Sequence, residues 1–222
     1  MLKIEKFVTM SPEQWEIVIE GMRNPKNSWD RSDSWTGDVV DCETNRILPA
    51  DFFVGPNDEK LMMELKAGGP VHAKYLRMMP VWVTLTAPLY WWKEMDTYKI
   101  GVTTNSCSTM HKIHSRDLTF DDFSHDRLTP ESCVALEHSI NLINANRKVF
   151  LATDDKMAWE QMIQLLPSSY NQKRTVFLNY EVLSNIYKWR RNHKLAEWHV
   201  FCDWISKDLP YPELVTGVIC DG

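Results

Sequence analysis

Apolar and polar residues alternate from Lys3 to Thr9, the period of a strand with one face covered. Ser11-Pro12-Glu13-Gln14 follows, with a capping hydroxyl, a proline at the first helical position and a glutamine three residues on. A helix is therefore expected from Pro12 to about Met22. From Asn24 to Gly55 the chain is rich in Asn, Asp, Ser, Thr and Pro and keeps no period, so it reads as a long loop. Trp29 and Trp35 within it predict an ordered one, because disordered segments are poor in aromatic residues.

Asn57 to Lys66 has the pattern of a second short helix, stopped by Gly68-Gly69-Pro70, and Val81, Val83 and Leu85 then alternate as a strand ending at Pro88. Leu89 to Ile100 predicts a helix that covers apolar surface with Trp91, Trp92, Met95 and Tyr98 and offers Lys93, Glu94, Asp96 and Lys99 on its other face. Gly101 to His111 contains TTNSCST without a charge; it reads either as a solvated loop whose hydroxyls satisfy their own backbone or as a loop that cradles a ligand. Thr129-Pro130-Glu131 opens a long helix to about Asn146, and Asp154 opens another to Leu166, ended by Pro167. Thr175 to Leu178 is a short apolar run, followed by helices over Tyr180 to Arg191 and Leu195 to Lys207. No repeat and no interdomain linker interrupts this order, so one domain over residues 1–222, of mixed helix and strand, is expected.

Composition narrows the class. A hydrophobic fraction of 44% over 222 residues suffices for a core. Ten tryptophans suit cores, subunit contacts or flat ligands, with most expected in the core. The net charge of -5 leaves no basic stripe, which argues against nucleic acid as a partner while leaving a free nucleotide open. Cys42, Cys107, Cys133, Cys202 and Cys220 are odd in number and scattered without a CxxC pair, as reduced thiols are. The polar N-terminus and the absence of an apolar run of about 20 residues argue against export and a membrane span, making the cytosol the expected address.

Three clusters carry candidate chemistry. His111 and His114, with Asp121, Asp122 and His125 nearby, offer metal-ligating groups that would activate water, but HxxH without a third ligand at a recognised spacing is weak, and Asp121-Asp122 resemble a helix start. Cys107, between Ser106 and Ser108, would need an adjacent base to act as a nucleophile, and none is evident. Arg190, Arg191, His193 and Lys194 fall between two helices, where cations either balance a helix C-terminus or grip a phosphate.

The spacing of their neighbours bears on that choice. Leu166-Pro167, Asn179, Arg190 and Ala196-Glu197-Trp198 resemble, in order and spacing, the Leu-Pro, Asn, Arg and Ala-Gln-Trp-Glu of the flavin-dependent thymidylate synthase family, with Arg191 an alternative match because the step to Ala196 is one residue longer. Upstream, Thr97-Tyr98-Lys99 and Asn105-Ser106-Cys107-Ser108-Thr109-Met110 resemble the family's RHR triplet and Asn-Glu-x-Ser-x-Arg signature. Glu94 falls where the family has a substrate-contacting Gln, and GGPVHAKYLR, with His72, falls where it has a His-containing flavin-binding segment. The likeness is strongest over residues 160–210 and weaker over 57–115.

The resemblance implies an α+β fold of the thymidylate synthase-complementing type, a central sheet with packed helices, assembled as a homotetramer. It implies FAD as cofactor and a dUMP-like pyrimidine nucleotide as substrate, with a methylene folate as carbon donor and no cysteine nucleophile. By the same resemblance His72, Lys99, Asn105, Asn179 and Arg190 would face the flavin, and Glu94, Ser106, Ser108, Arg190 and Arg191 the substrate; no metal is implied. Two arginines of the triplet and the last of the signature are replaced by Thr97, Lys99 and Met110. Each lost charge-assisted hydrogen bond costs about 1.5 to 3 kcal/mol, so two further readings stand beside a flavin- and nucleotide-binding protein: a non-catalytic oligomeric binding protein on the same fold, and a metal-dependent hydrolase using His111, His114 and His125.

Overall fold

The structure is a computed structural model that describes residues 1–41 and 47–217; Cys42 and Cys220 lie outside the described residues. The chain separates into two compact units interleaved along the sequence. One contains Met1–Lys6, Val83–Lys99 and Thr103–Val176; the other contains Phe7–Trp82, Ile100–Val102 and Phe177–Gly222. A four-stranded sheet has the order β1-β4-β6-β5, with β1 at Lys3–Val8, β4 at Pro80–Pro88, β5 at Thr103–Ser106 and β6 at Asn171–Asn179. Val81, Val83, Leu85 and Ala87 alternate along β4 and are fully buried, the pattern that made this strand legible. With its packed helices this is an α+β fold, as expected.

In the first unit, α4 (Pro130–Thr153) and α5 (Lys156–Gln164) place Leu136, Ile140, Ile143 and Met162 against Ile113, Leu118 and Phe123. Asn144 holds the loop before them by accepting from Leu118 N and donating to its carbonyl, both at 2.8 Å. Trp91 and Trp92 of α3 (Leu89–Met95) are wholly buried, and Trp92 Nε1 donates to the Gln172 carbonyl at 2.9 Å.

In the second unit, α1 (Pro12–Arg23) begins with the capping box read from the sequence, Ser11 and Gln14 each serving the other's backbone. Its Trp15 stacks on Phe52 at 5.6 Å and meets the edge of Tyr211 at 5.2 Å. Arg23, at the end of α1, donates from Nε to Asp58 of α2 (Pro56–Ala67) at 2.5 Å. Asp58 Oδ2 also accepts from Ser32 Oγ, Asp33 N, Ser34 N and Ser34 Oγ. Burial raises the Asp58 carboxyl, but the hydrogen bonds from Ser34, Ser32 and Arg23 outweigh it and hold the group below its ordinary range.

Four expectations are corrected. The loop over 24–55 contains an antiparallel hairpin, β2 (Trp35–Val40) paired with β3 (Ile47–Phe53), with Trp35 stacked on Phe53 at 4.5 Å. β2 is exposed along most of its length, so nothing imposes apolar alternation on it. TTNSCST is a strand at its start: β5 is the terminal strand of the sheet, where polar residues are tolerated. The α3 helix stops at Met95 rather than Ile100; Thr97 N and Oγ1 both donate to the Glu94 carbonyl, and the chain turns to Gly101 at φ 75°. The α4 helix continues past Asn146 until Asp154 adopts a left-handed conformation at φ 55°, leaving Asp155 to cap α5 by accepting from Met157 N at 2.9 Å.

Candidate functional site

The second unit contains a cavity of about 510 Å³ next to α6 (Tyr180–Arg190). Asn179 starts that helix by accepting from Val182 N at 3.0 Å, and Val182, Leu183 and Ile186 anchor its inner face. Glu181, Ser184, Asn185 and Lys188 follow at helical spacing and line the cavity. The opposite wall is the turn Gly69-Pro70 with Ala73, Leu76 and Lys66, and Ile100 completes it. Arg77 fastens this arrangement: its Nε reaches both Glu181 carboxylate oxygens at 2.9 and 2.8 Å, and its Nη2 donates to the Pro70 carbonyl at 3.1 Å.

That pair neutralises Glu181, which leaves Lys66 and Lys188 to set the sign of the wall. Lys66 Nζ donates to the Glu213 carbonyl at 3.0 Å. Burial brings its amine down to about 8, partly offset by the Glu213 charge, while burial pushes the Glu213 carboxyl up. Apolar surface from Leu76 and Ile100 lies across from the polar stripe of α6, a combination suited to a flat ring with polar edges.

None of the predicted binding side chains lines the cavity, but their chain neighbours do. His72 is exposed between the lining residues Pro70 and Ala73. Asn179 is buried three residues before Val182, next to Gly101, whose missing Cβ would fall 3.1 Å from Asn179 Nδ2. The Arg190 guanidinium lies over the Trp198 ring at 4.9 Å, joining the end of α6 to α7 (Ala196–Asp208), while Arg191 lies over Tyr187 of α6 itself at 5.8 Å. The sequence reading missed Lys66, Glu181, Ser184, Asn185 and Lys188; the legible signal was the polar stripe at positions 181, 184, 185 and 188 on a helix whose other face is apolar.

The remaining predicted residues belong to the first unit. Lys99, Asn105, Ser106, Cys107 and Ser108 are exposed and Glu94 is half-buried. Gln172 Nε2 donates to the Cys107 carbonyl at 3.2 Å and to Thr109 Oγ1 at 2.9 Å, and Ser108 Oγ accepts from His111 N at 3.1 Å. Ser108 thus satisfies its own turn. Arg174 lies 4.4 Å over Trp92 and pairs with Asp96 at 2.8 Å, a cation the sequence reading did not select.

The metal-ligand candidates are not gathered. Asp122 is held by Arg116 and by Thr119 N, His125 Nδ1 contacts the Phe123 carbonyl at 2.9 Å, and His114 packs on Phe150. Among the described residues no group of three or more His, Cys, Asp or Glu is placed to hold a metal ion.

The fold is similar to that of solved flavin-dependent thymidylate synthases. Flavin-dependent thymidylate synthase ThyX from Helicobacter pylori, complexed with FAD and dUMP, is similar with a TM-score of 0.64 over 97% of this chain and 98% of that one, at 15% identity. A second structure of ThyX from Helicobacter pylori with FAD and dUMP gives a TM-score of 0.64 over 97% of each chain, at 14% identity. No family model matches the sequence. No curated protein matches it either.

Proposed function

We propose that this chain is a divergent flavin- and nucleotide-binding protein that holds FAD at the cavity beside α6. The observation that carries this reading is a convergence. The segment GGPVHAKYLR, which resembles the family's flavin-binding segment, and the helix between Asn179 and Arg190 supply opposite walls of one cavity, on a fold matched over nearly the whole chain. The residues fit the group: about 510 Å³ is within the range of small-molecule sites, the apolar wall suits a ring, and Lys66 and Lys188 suit a phosphate. FAD, once bound and reduced, would supply a hydride. The chain's own residues bind and orient it.

The finer form of the reading is FAD-dependent methylation or another modification of a dUMP-like pyrimidine nucleotide with a folate as carbon donor. By the resemblance, Glu94, Ser106, Ser108, Arg190 and Arg191 are the residues assigned to that nucleotide. It includes a single domain, a cytosolic address and a homotetramer. Support for assembly comes from α4, where Val134, Val149 and Leu151 are exposed although the helix is 24 residues long. No helix among the described residues is long and apolar enough to cross a membrane.

A second reading is favoured by Thr97, Lys99 and Met110, which replace the arginines of the signature: a binding protein without turnover. The visible absorbance spectrum of the protein after incubation with FAD and gel filtration tests both. A retained flavin spectrum supports binding, and flavin-dependent methyl transfer to a uridine nucleotide then separates enzyme from binder. A colourless protein rejects the flavin reading.

A further inference from the structure

A smaller cavity of the second unit, about 170 Å³, is lined by α1, the turn at Trp29, residues 32–34 and β3. Ile19 of α1 and Phe52 of β3 make its apolar wall; both are buried, and the stacking of Trp15 on Phe52 fixes that ring. Glu16 and Glu20, one helical turn apart on α1 and both exposed, line it together. Trp29 lines it as well; its ring is half exposed, and its Nε1 donates to Asn24 Oδ1 at 2.8 Å, which fixes its orientation.

Carboxylates on a helix surface are ordinarily solvated, and a pair of them alone marks nothing. Here the charge around the cavity does not cancel. Arg23, its one lining cation, is neutralised by Asp58 at 2.5 Å, which leaves Glu16 and Glu20 as an excess of two negative charges. Glu16 accepts from Thr36 Oγ1 at 2.7 Å, and among the described residues no lysine or arginine pairs with either glutamate. Ser32 and Ser34 donate their hydroxyl protons to Asp58, so toward a ligand Ser32 Oγ is an acceptor. An apolar wall, an aromatic face and carboxylates without a counter-cation are complementary to an organic cation and repel an anion.

We propose that this cavity binds a linear aliphatic diamine, its methylene stem against Ile19 and Phe52, its ammonium groups at Glu16 and Glu20 and one of them against the Trp29 ring. Carboxylates at i and i+4 start from Cβ atoms about 5 to 6 Å apart, a spacing that favours two ammonium groups over one. At about 170 Å³ the cavity is smaller than sites for nucleotide-sized ligands and suits a thin chain. It shares no lining residue with the α6 cavity and does not rest on the flavin reading.

Isothermal titration with putrescine, in phosphate-free buffer at fixed ionic strength, tests it, and n-butylamine offers the same stem with a single charge. Glu16→Gln/Glu20→Gln removes both charges at exposed positions, so the fold is kept, as a melting curve verifies. Glu64→Gln, at an exposed carboxylate of α2 outside the cavity, is the control. Saturable putrescine binding is expected in the wild type and in Glu64→Gln, weakened at least tenfold in the double variant and at least threefold in Trp29→Leu. Binding of n-butylamine to the wild type should be at least tenfold weaker than that of putrescine. Absence of saturable binding, undiminished binding by the double variant or by Trp29→Leu, equal binding of n-butylamine, or loss of binding in Glu64→Gln would each overturn the proposal.

Discussion

Two stretches resembling one family behave differently in the structure. From Leu166 to Asp208 the resemblance is close, and its marked residues do structural work: Asn179 caps α6, and Arg190 stacks on Trp198. From Thr97 to Met110 it is poor, and Lys99, Asn105 and Ser106 are exposed. Side chains that a fold needs are held in place whether or not a ligand comes. Side chains that serve only a ligand have nothing else to hold them. A preserved pattern at Asn179 and Arg190 is therefore weaker evidence for binding than it first looks, and the polar stripe of α6 is the better test.

Gly101→Ala should break the well-preserved stretch most severely. It forces a side chain into the left-handed region at φ 75° and brings a Cβ to 3.1 Å from Asn179 Nδ2 and 3.2 Å from Val182; a loss of about 2 kcal/mol or more is expected in chemical denaturation. Asn179→Ala removes a buried cap and should cost about 1 to 2 kcal/mol. Arg190→Ala removes a cation from the face of a buried tryptophan and should cost about 1 kcal/mol, visible as a lower melting temperature before any ligand is added. Lys99→Ala and Asn105→Ala should stay within about 0.5 kcal/mol of wild type. Were these exposed positions as costly as Asn179, the contrast would fail.

The ionisable groups give a pH test of the same region. The Lys66 amine is brought down to about 8 in the folded protein, below the value of about 10.4 for a free lysine. Between those values the unfolded chain binds more protons than the folded one, so stability should rise with pH across that window. Lys66→Met should flatten this rise in denaturation curves taken from pH 8 to 10. Asp58 works in the opposite range: its folded pKa is depressed, so its contribution is present above the unfolded carboxylate value and is lost as acid carries the pH down through the folded one.

Legibility followed burial. The α1 helix, with its capping box, and β4, with its alternating buried residues, could be read directly, because local chemistry and packing agree there. The hairpin of β2 and β3 and the terminal strand β5 could not, because exposed strands place no demand on side-chain pattern. Half of the ten tryptophans, Trp15, Trp91, Trp92, Trp198 and Trp204, are buried, whereas Trp29, Trp35, Trp82 and Trp189 are exposed, so the expectation of a largely core role holds only in part. The candidate site was legible by neighbourhood: the sequence pointed to the turn after α2 and to α6, but to residues that flank the cavity. Which face of α6 it borders depended on packing between distant segments.

The most direct test of the central claim is FAD retention, followed by visible absorbance after gel filtration, in the wild type and in Asn185→Ala/Lys188→Ala. The account predicts a flavin spectrum in the wild type and its loss in the double variant, with the melting temperature of the FAD-free protein unchanged. A wild type that emerges colourless, or a double variant that holds FAD as well as the wild type, would contradict it.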